Sequence, residues 1–204
     1  MQLTLEFDQA EHAYTLGGVR IPSVTQVLSF GQDLSRIPRW TAERGTAFHL
    51  ATEYLDQDDL DWDSLDDLVR PHVEAYRKWK EYRRPHFSHT EHRVWGEIDG
   101  LKYAGTIDRV WLTRSDSDGI DYGCLIDLKS GAPRKEHGAQ LVAYSVALAR
   151  EVPNLMIESW RGVYCLKDGT FSEKPYDGRE HLEAFRVKLH QWYEANIAGR
   201  KDGI

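Results

Sequence analysis

Cysteine is scarce in this chain of 204 residues: Cys124 and Cys165 are the whole supply, and no C-x-x-C pair occurs. A cysteine-held zinc or iron–sulfur centre therefore lacks its donors. Two thiols in apolar runs read as reduced core residues, not as a disulfide framework. Long hydrophobic runs are missing too. No stretch of eighteen apolar residues exists, so no membrane span and no membrane partner are expected. The opening MQLTLEFDQAEH has neither a basic n-region nor an apolar h-region, so no secretory signal is expected and the chain reads as cytoplasmic. Internal repeats are absent. Positive charge is in short supply: 26 Lys and Arg face 33 Asp and Glu, a net charge of −7, which at first argues against a nucleic-acid partner.

The deficit is local. DQDDLDWDSLDD, residues 56–67, holds seven Asp and no Lys or Arg, which accounts for all of it. Asp59, Asp61 and Asp63 have the 1-3-5 spacing of a calcium loop, but the sixth position is Ser64, not Gly, and the twelfth is Arg70, not Glu. The stretch reads as a solvated acidic loop.

What is present suits a packed domain, with 41% hydrophobic residues and abundant aromatics. HAYTLGGVRIPSV predicts a hairpin around Gly17-Gly18. PSVTQVLSF predicts a short helix capped by Ser23 or Thr25. RWTAERGTAFHLATEYLD predicts a helix whose Ala47, Phe48, Ala51 and Leu55 form an apolar stripe, and Pro71 opens another. FSHTEHRVWGE, LKYAGTIDRVWLT and IDYGCLIDLKSG read as strands, the last two a hairpin across RSDSDG. EHGAQLVAYSVALAR is apolar nearly all round, hence a buried helix. Two strands around Asp168-Gly169 and a last helix follow. The expected architecture is α/β, a mixed central β-sheet flanked by helices. It is expected to be one domain over 1–204: a hairpin and helical part to about 85, a core over about 86–175 and a C-terminal helix over about 178–197.

In LIDLKSG, residues 125–131, alternation sends Leu125, Asp127 and Lys129 one way and Cys124, Ile126 and Leu128 the other, the second set being core. Asp127 and Lys129 then share a face about 7 Å apart along the strand. Asp108 lies among apolar residues of the preceding strand, and hairpin pairing can bring it beside Asp127. Two neighbouring carboxylates repel unless a cation sits between them, and hard oxygen donors suit magnesium or manganese. The plainer alternative pairs Asp108 with Arg109 or another cation. Gly45 and His49 stand i, i+4 on one helix. A lone His there is more often a core residue than a ligand. His49 with Glu53 is not the H-E-x-x-H pattern of a zinc site. Glu91 is an outer carboxylate of this site or an exposed acid. Gln140 and Tyr144, i, i+4 on the buried helix, either bond within the core or point out at a phosphate or base.

Together these pieces resemble the PD-(D/E)XK nuclease superfamily, in particular its RecB-like branch of phage and mitochondrial-type exonucleases. The matching pieces are GTAFH, EHRV, GTIDRV, IDLKSG and QLVAY, in that order, with YTLGGVRIPSVTQVL before them. Residue 107 is Ile where the superfamily's name has Pro, a departure that branch tolerates. The resemblance implies a restriction-endonuclease-like core and a metal-dependent DNA exonuclease, bacterial or phage-encoded. Such an enzyme works on single-stranded or frayed ends in recombination, repair or phage replication. Recombination or replication proteins are implied as candidate partners. It implies His49, Asp108, Asp127 and the Leu128 carbonyl as ligands of Mg²⁺ or Mn²⁺, with Glu91 assisting from outside. Lys129 would orient or activate water, Gln140 and Tyr144 would hold substrate and brace the site, and Gly45 would let the backbone approach. The cysteines of iron–sulfur relatives are absent, so no cluster is expected. Arg93, Arg109, Arg134, Lys135 and the RKWKEYRR helix are candidates for a local basic groove, and Trp95, Tyr103, Trp111 and Tyr144 are candidate stacking surfaces, although each ring taken singly reads as core. The rival readings are a structure-specific endonuclease and a catalytically silent module that binds DNA or protein.

Overall fold

A computed structural model describes residues 3–33, 35 and 38–201, without the side chains of 39 and 197–201. The outermost residues of the expected domain, 1–2 and 202–204, lie outside the described residues. The chain opens with three short strands, β1 (Leu5–Asp8), β2 (Ala13–Leu16) and β3 (Val19–Ile21), paired antiparallel in that order. The sequence reading held only the β2–β3 hairpin, which Gly17-Gly18 marks; no glycine turn marks the QAEH connection from β1 to β2. Helix α1 (Val24–Ser29) is capped by Ser23: its hydroxyl accepts from the Gln26 amide, and the Gln26 side chain accepts from the Ser23 amide, a capping box. Helix α2 (Arg39–Asp56) is followed by a 3-10 turn at Trp62–Ser64 and by α3 (Arg70–Arg83), whose first turn holds Pro71.

The main sheet follows: β4 (His86–Ile98), β5 (Leu101–Ser115) and β6 (Asp121–Lys129), then α4 (Glu136–Glu151), β7 (Leu155–Cys165), β8 (Phe171–Tyr176) and α5 (Gly178–Lys201). Spatial order follows chain order, β4 to β8. All pairs are antiparallel except β6 and β7, which run parallel because α4 carries the chain back across the sheet. The sheet is thus mixed and flanked by helices, as the strand and helix patterns indicate.

One expectation is corrected. Both faces of β6 are core, not one. Cys124, Ile126 and Leu128 pack with Phe48 and Ala51 of α2 and with Val73, Tyr76 and Trp79 of α3. Leu125 packs on the other side with residues of α1, α4 and α5. A strand covered on both sides reads as a continuous apolar run, so Asp127 at its end is a carboxylate in the interior. Ala47, assigned to the buried stripe of α2, is exposed; Phe48 and Ala51 are buried. The acidic stretch is also revised at one end. Asp56 closes α2 with its side chain buried, whereas Asp58, Asp59, Asp61, Asp63, Asp66 and Asp67 are exposed or half-exposed.

Candidate metal centre

The β5–β6 register pairs Arg109 with Ile126 and Val110 with Leu125. One step further sets Asp108 against Asp127. There the ladder changes character: Asp108 Oδ2 accepts from the Leu128 amide at 2.6 Å, so a side chain takes over the role of a backbone carbonyl and is fixed by it. Asp127 is buried. Its Oδ1 accepts from Lys129 Nζ at 2.7 Å, closer than strand rise alone suggests, because the long lysine chain folds back. Its Oδ2 is buried with no partner. Burial pushes the Asp127 carboxyl up to about 6; Lys129 opposes this and the charge of Asp108 adds to it. Burial would lower Lys129, but Asp127 and Asp108 outweigh it and hold the ammonium above its ordinary value.

Glu91 enters from β4. The ladder pairs Thr90 with Arg109 and His92 with Ile107, so Glu91 stands opposite Asp108. Its φ of 46° is left-handed, an uncommon conformation for a non-glycine residue that breaks strand alternation. His49 comes from α2, its Nδ1 3.7 Å from Glu91 Oε1 and 3.6 Å from Asp108 Oδ1. Burial would depress His49, but Asp108 and Glu91 outweigh it and the imidazole is shifted up.

The donor atoms of His49, Glu91 and Asp108 all lie within 4.8 Å of one another. Separations of 3.6 and 3.7 Å are too long for hydrogen bonds. They match donors facing a common ion, since ligands about 2.1 Å from a centre stand roughly 3–4 Å apart. These residues fit a divalent cation, and the buried Asp127 carboxylate, whose Oδ2 has no hydrogen-bond partner, feels the charges of Asp108 and His49. The sequence reading had put Glu91 outside and Asp127 inside. The structure brings Glu91 into the cluster with His49 and Asp108, and sets Asp127 alongside it, bonded to Lys129.

Gln140 and Tyr144 bond each other at 3.3 Å and both are buried, so they face inward and not an open surface. Tyr144 lies near the acids: burial first, then the Asp108 charge, hold its hydroxyl well above its ordinary value. It also explains Gly105, the glycine of GTIDRV, where an added Cβ would collide with the Tyr144 ring. Gly45 has open space around its Cβ position, as has Gly131 after Lys129. Arg44 ties α2 to this turn by donating to the Ser130 carbonyl at 3.0 Å.

The expected basic groove does not form as drawn. Arg109 is fully buried. In α3, Lys78 bonds the Gly169 carbonyl, Lys80 pairs with Asp56 and Arg83 with Glu173. Lys135 pairs with Glu180, and Arg93 lies over the Phe7 ring. The four candidate stacking rings are engaged in packing, the reading each had singly. Tyr103 and Tyr144 are buried, Trp111 packs edge-on against Trp79, and Trp95 lies under Arg150.

The family model of the PD-(D/E)XK nuclease superfamily matches residues 42–202. The chain belongs to that superfamily. Among solved structures, a candidate exonuclease from Eubacterium rectale is similar in fold, with a TM-score of 0.56 over 90% of this chain and 82% of that one, at 13% identity. A second, SSO0001, aligns over 82% of this chain and 84% of its own at 15% identity with a TM-score of 0.35, too low to carry weight. No curated protein matches the sequence. The β5–β6 end that carries Asp108, Asp127 and Lys129 lies inside the matched range, as do His49 and Glu91.

Proposed function

We propose that this PD-(D/E)XK protein is a Mg²⁺- or Mn²⁺-dependent deoxyribonuclease of the RecB-like branch. It would be an exonuclease that works from single-stranded or frayed DNA ends in recombination, repair or phage replication. The observation that carries the reading is the His49–Glu91–Asp108 cluster set against the Asp127–Lys129 pair. In this reading His49, Asp108 and Asp127, with the Leu128 carbonyl, hold the cation, and Glu91 joins them. A bound cation neutralises phosphodiester charge and orients the attacking water.

The chain's own residues then divide the work. Lys129, held protonated by its acidic neighbours, is a fixed cationic donor to a phosphate oxygen or to water, and not a general base. Gln140 and Tyr144 brace the strand end from inside. Gly45 and Gly131 leave room for a nucleic-acid backbone. Overall acidity and the engaged cations argue for a light grip on duplex phosphates.

The test compares end-labelled linear single strands, linear duplex and circular single strands at one salt concentration with Mg²⁺. Linear single strands should be degraded and circles spared. Circles cut as fast as linear DNA would replace exonuclease with endonuclease and leave the metal site untouched.

A further inference from the structure

Behind the cluster sits a buried cation that the proposed chemistry does not use. Arg109, next in sequence to Asp108, is fully buried. Its Nη1 donates to Glu91 Oε1 at 2.8 Å and to the Asp108 carbonyl at 2.6 Å. Its Nη2 donates to Thr52 Oγ1 at 3.1 Å and its Nε to Asp56 Oδ2 at 2.6 Å. One guanidinium therefore touches Glu91 of β4, the Asp108 backbone of β5 and the last turns of α2, the helix that carries His49. Thr52 also bonds the His49 carbonyl at 2.8 Å. Asp56 is anchored in turn by the Tyr76 hydroxyl, at 2.8 Å from Oδ2, and by Lys80 at 2.9 Å.

We propose that Arg109, held by Asp56, is the positioning residue of this site. It fixes the left-handed Glu91 and the backbone of Asp108 against His49, so the three donors are assembled before a cation arrives. The inference rests on the metal-centre reading above. Three features argue that this is more than packing. The guanidinium grips Glu91 through the same carboxylate oxygen, Oε1, that faces His49. It stabilises a backbone conformation at Glu91 that a strand does not otherwise adopt. A planar fork with fixed donor directions can bind these partners together, whereas an ammonium cannot. Outer partners of this kind commonly change metal affinity by about 10- to 100-fold when altered.

The test is calorimetric titration of the whole chain with Mn²⁺, without DNA, for wild type, Arg109→Lys, Asp56→Asn and Lys80→Ala, beside each variant's melting temperature. Arg109→Lys and Asp56→Asn should weaken Mn²⁺ binding at least tenfold even where the melting temperature is preserved. Lys80→Ala, which touches Asp56 but not Arg109, should lower the melting temperature and weaken Mn²⁺ binding less than Asp56→Asn does. Should Arg109→Lys fail to fold, Asp56→Asn decides. Wild-type affinity in the folded variants overturns the positioning role and leaves the nuclease reading standing. No Mn²⁺ binding by wild type, together with no cleavage of DNA, overturns both.

Discussion

Asp127 on β6 and Glu173 on β8 are both largely buried carboxylates of one sheet, two strands apart, and their surroundings differ in kind. Glu173 accepts from Trp79 Nε1 at 2.5 Å, from Arg83 through two nitrogens and from Arg161 at 3.0 Å. Burial would raise its carboxyl, but Arg83, Trp79 and Arg161 outweigh burial and hold it below its ordinary value. Asp127 has one lysine, a second aspartate opposite and an oxygen with no partner, and its carboxyl is raised. A fully paired buried acid stabilises a fold; an underpaired one stores repulsion that a cation relieves. The difference is the physical ground for proposing that Asp127 works in the site while Glu173 supports the fold.

The comparison breaks most sharply by removing each acid. Asp127→Ala should reduce cleavage by about a thousandfold or more, on the order of 4 kcal/mol of transition-state stabilisation, while the metal-free protein melts at or above the wild-type temperature. Single-turnover assays and a melt in chelator check both halves. Lys129→Ala should follow, with a loss of roughly a hundred- to a thousandfold in turnover and DNA binding largely kept, measured by anisotropy beside turnover. Glu173→Gln should do the reverse, losing roughly 2–3 kcal/mol of stability because Arg83 and Arg161 are left without their anion, while each folded molecule cleaves normally. Denaturant titration reads the first effect and activity per folded molecule the second.

The smallest effect sharpens the contrast through pH. Asp127 is raised from an ordinary 3.8 to about 6, so between those values the folded state holds more protons than the unfolded one. Its contribution to metal-free stability therefore falls as pH rises through that window. Glu173 is shifted the other way. Its contribution is complete above its ordinary value of 4.5 and is lost as pH falls from there through its lower folded-state value. Stability followed from pH 7 to well below 4.5 should accordingly lose its low-pH gain in Asp127→Ala and lose less to acid in Glu173→Gln. Parallel shifts in both variants would remove the distinction.

Much of this was open to reading in the sequence. A short polar turn sets the β5–β6 register, so Asp108 and Asp127 could be brought together from their places in two strands. The buried run of β6 and the helical spacing around His49 are local patterns. Glu91 was not decidable, because its left-handed backbone breaks the alternation that assigns a side chain to a face. Asp56 was read as one of seven solvated aspartates, and the buried guanidinium that claims it lies 53 residues further on. For the same reason Arg109 looked like a surface cation: only the fold shows that its partners converge from two strands and a helix. The aromatic rings could be weighed only one by one toward the core, since composition counts rings but cannot tell a stacking surface from a packed one.

The central claim, that the underpaired acids await a hard divalent cation, is tested most directly by incubating linear single-stranded DNA with the wild-type protein in Mg²⁺, Mn²⁺, Ca²⁺ or EDTA. Cleavage should occur in Mg²⁺ and Mn²⁺. It should fail in EDTA, and also in Ca²⁺, whose looser and longer coordination binds without positioning the water. Full cleavage in EDTA would contradict the account.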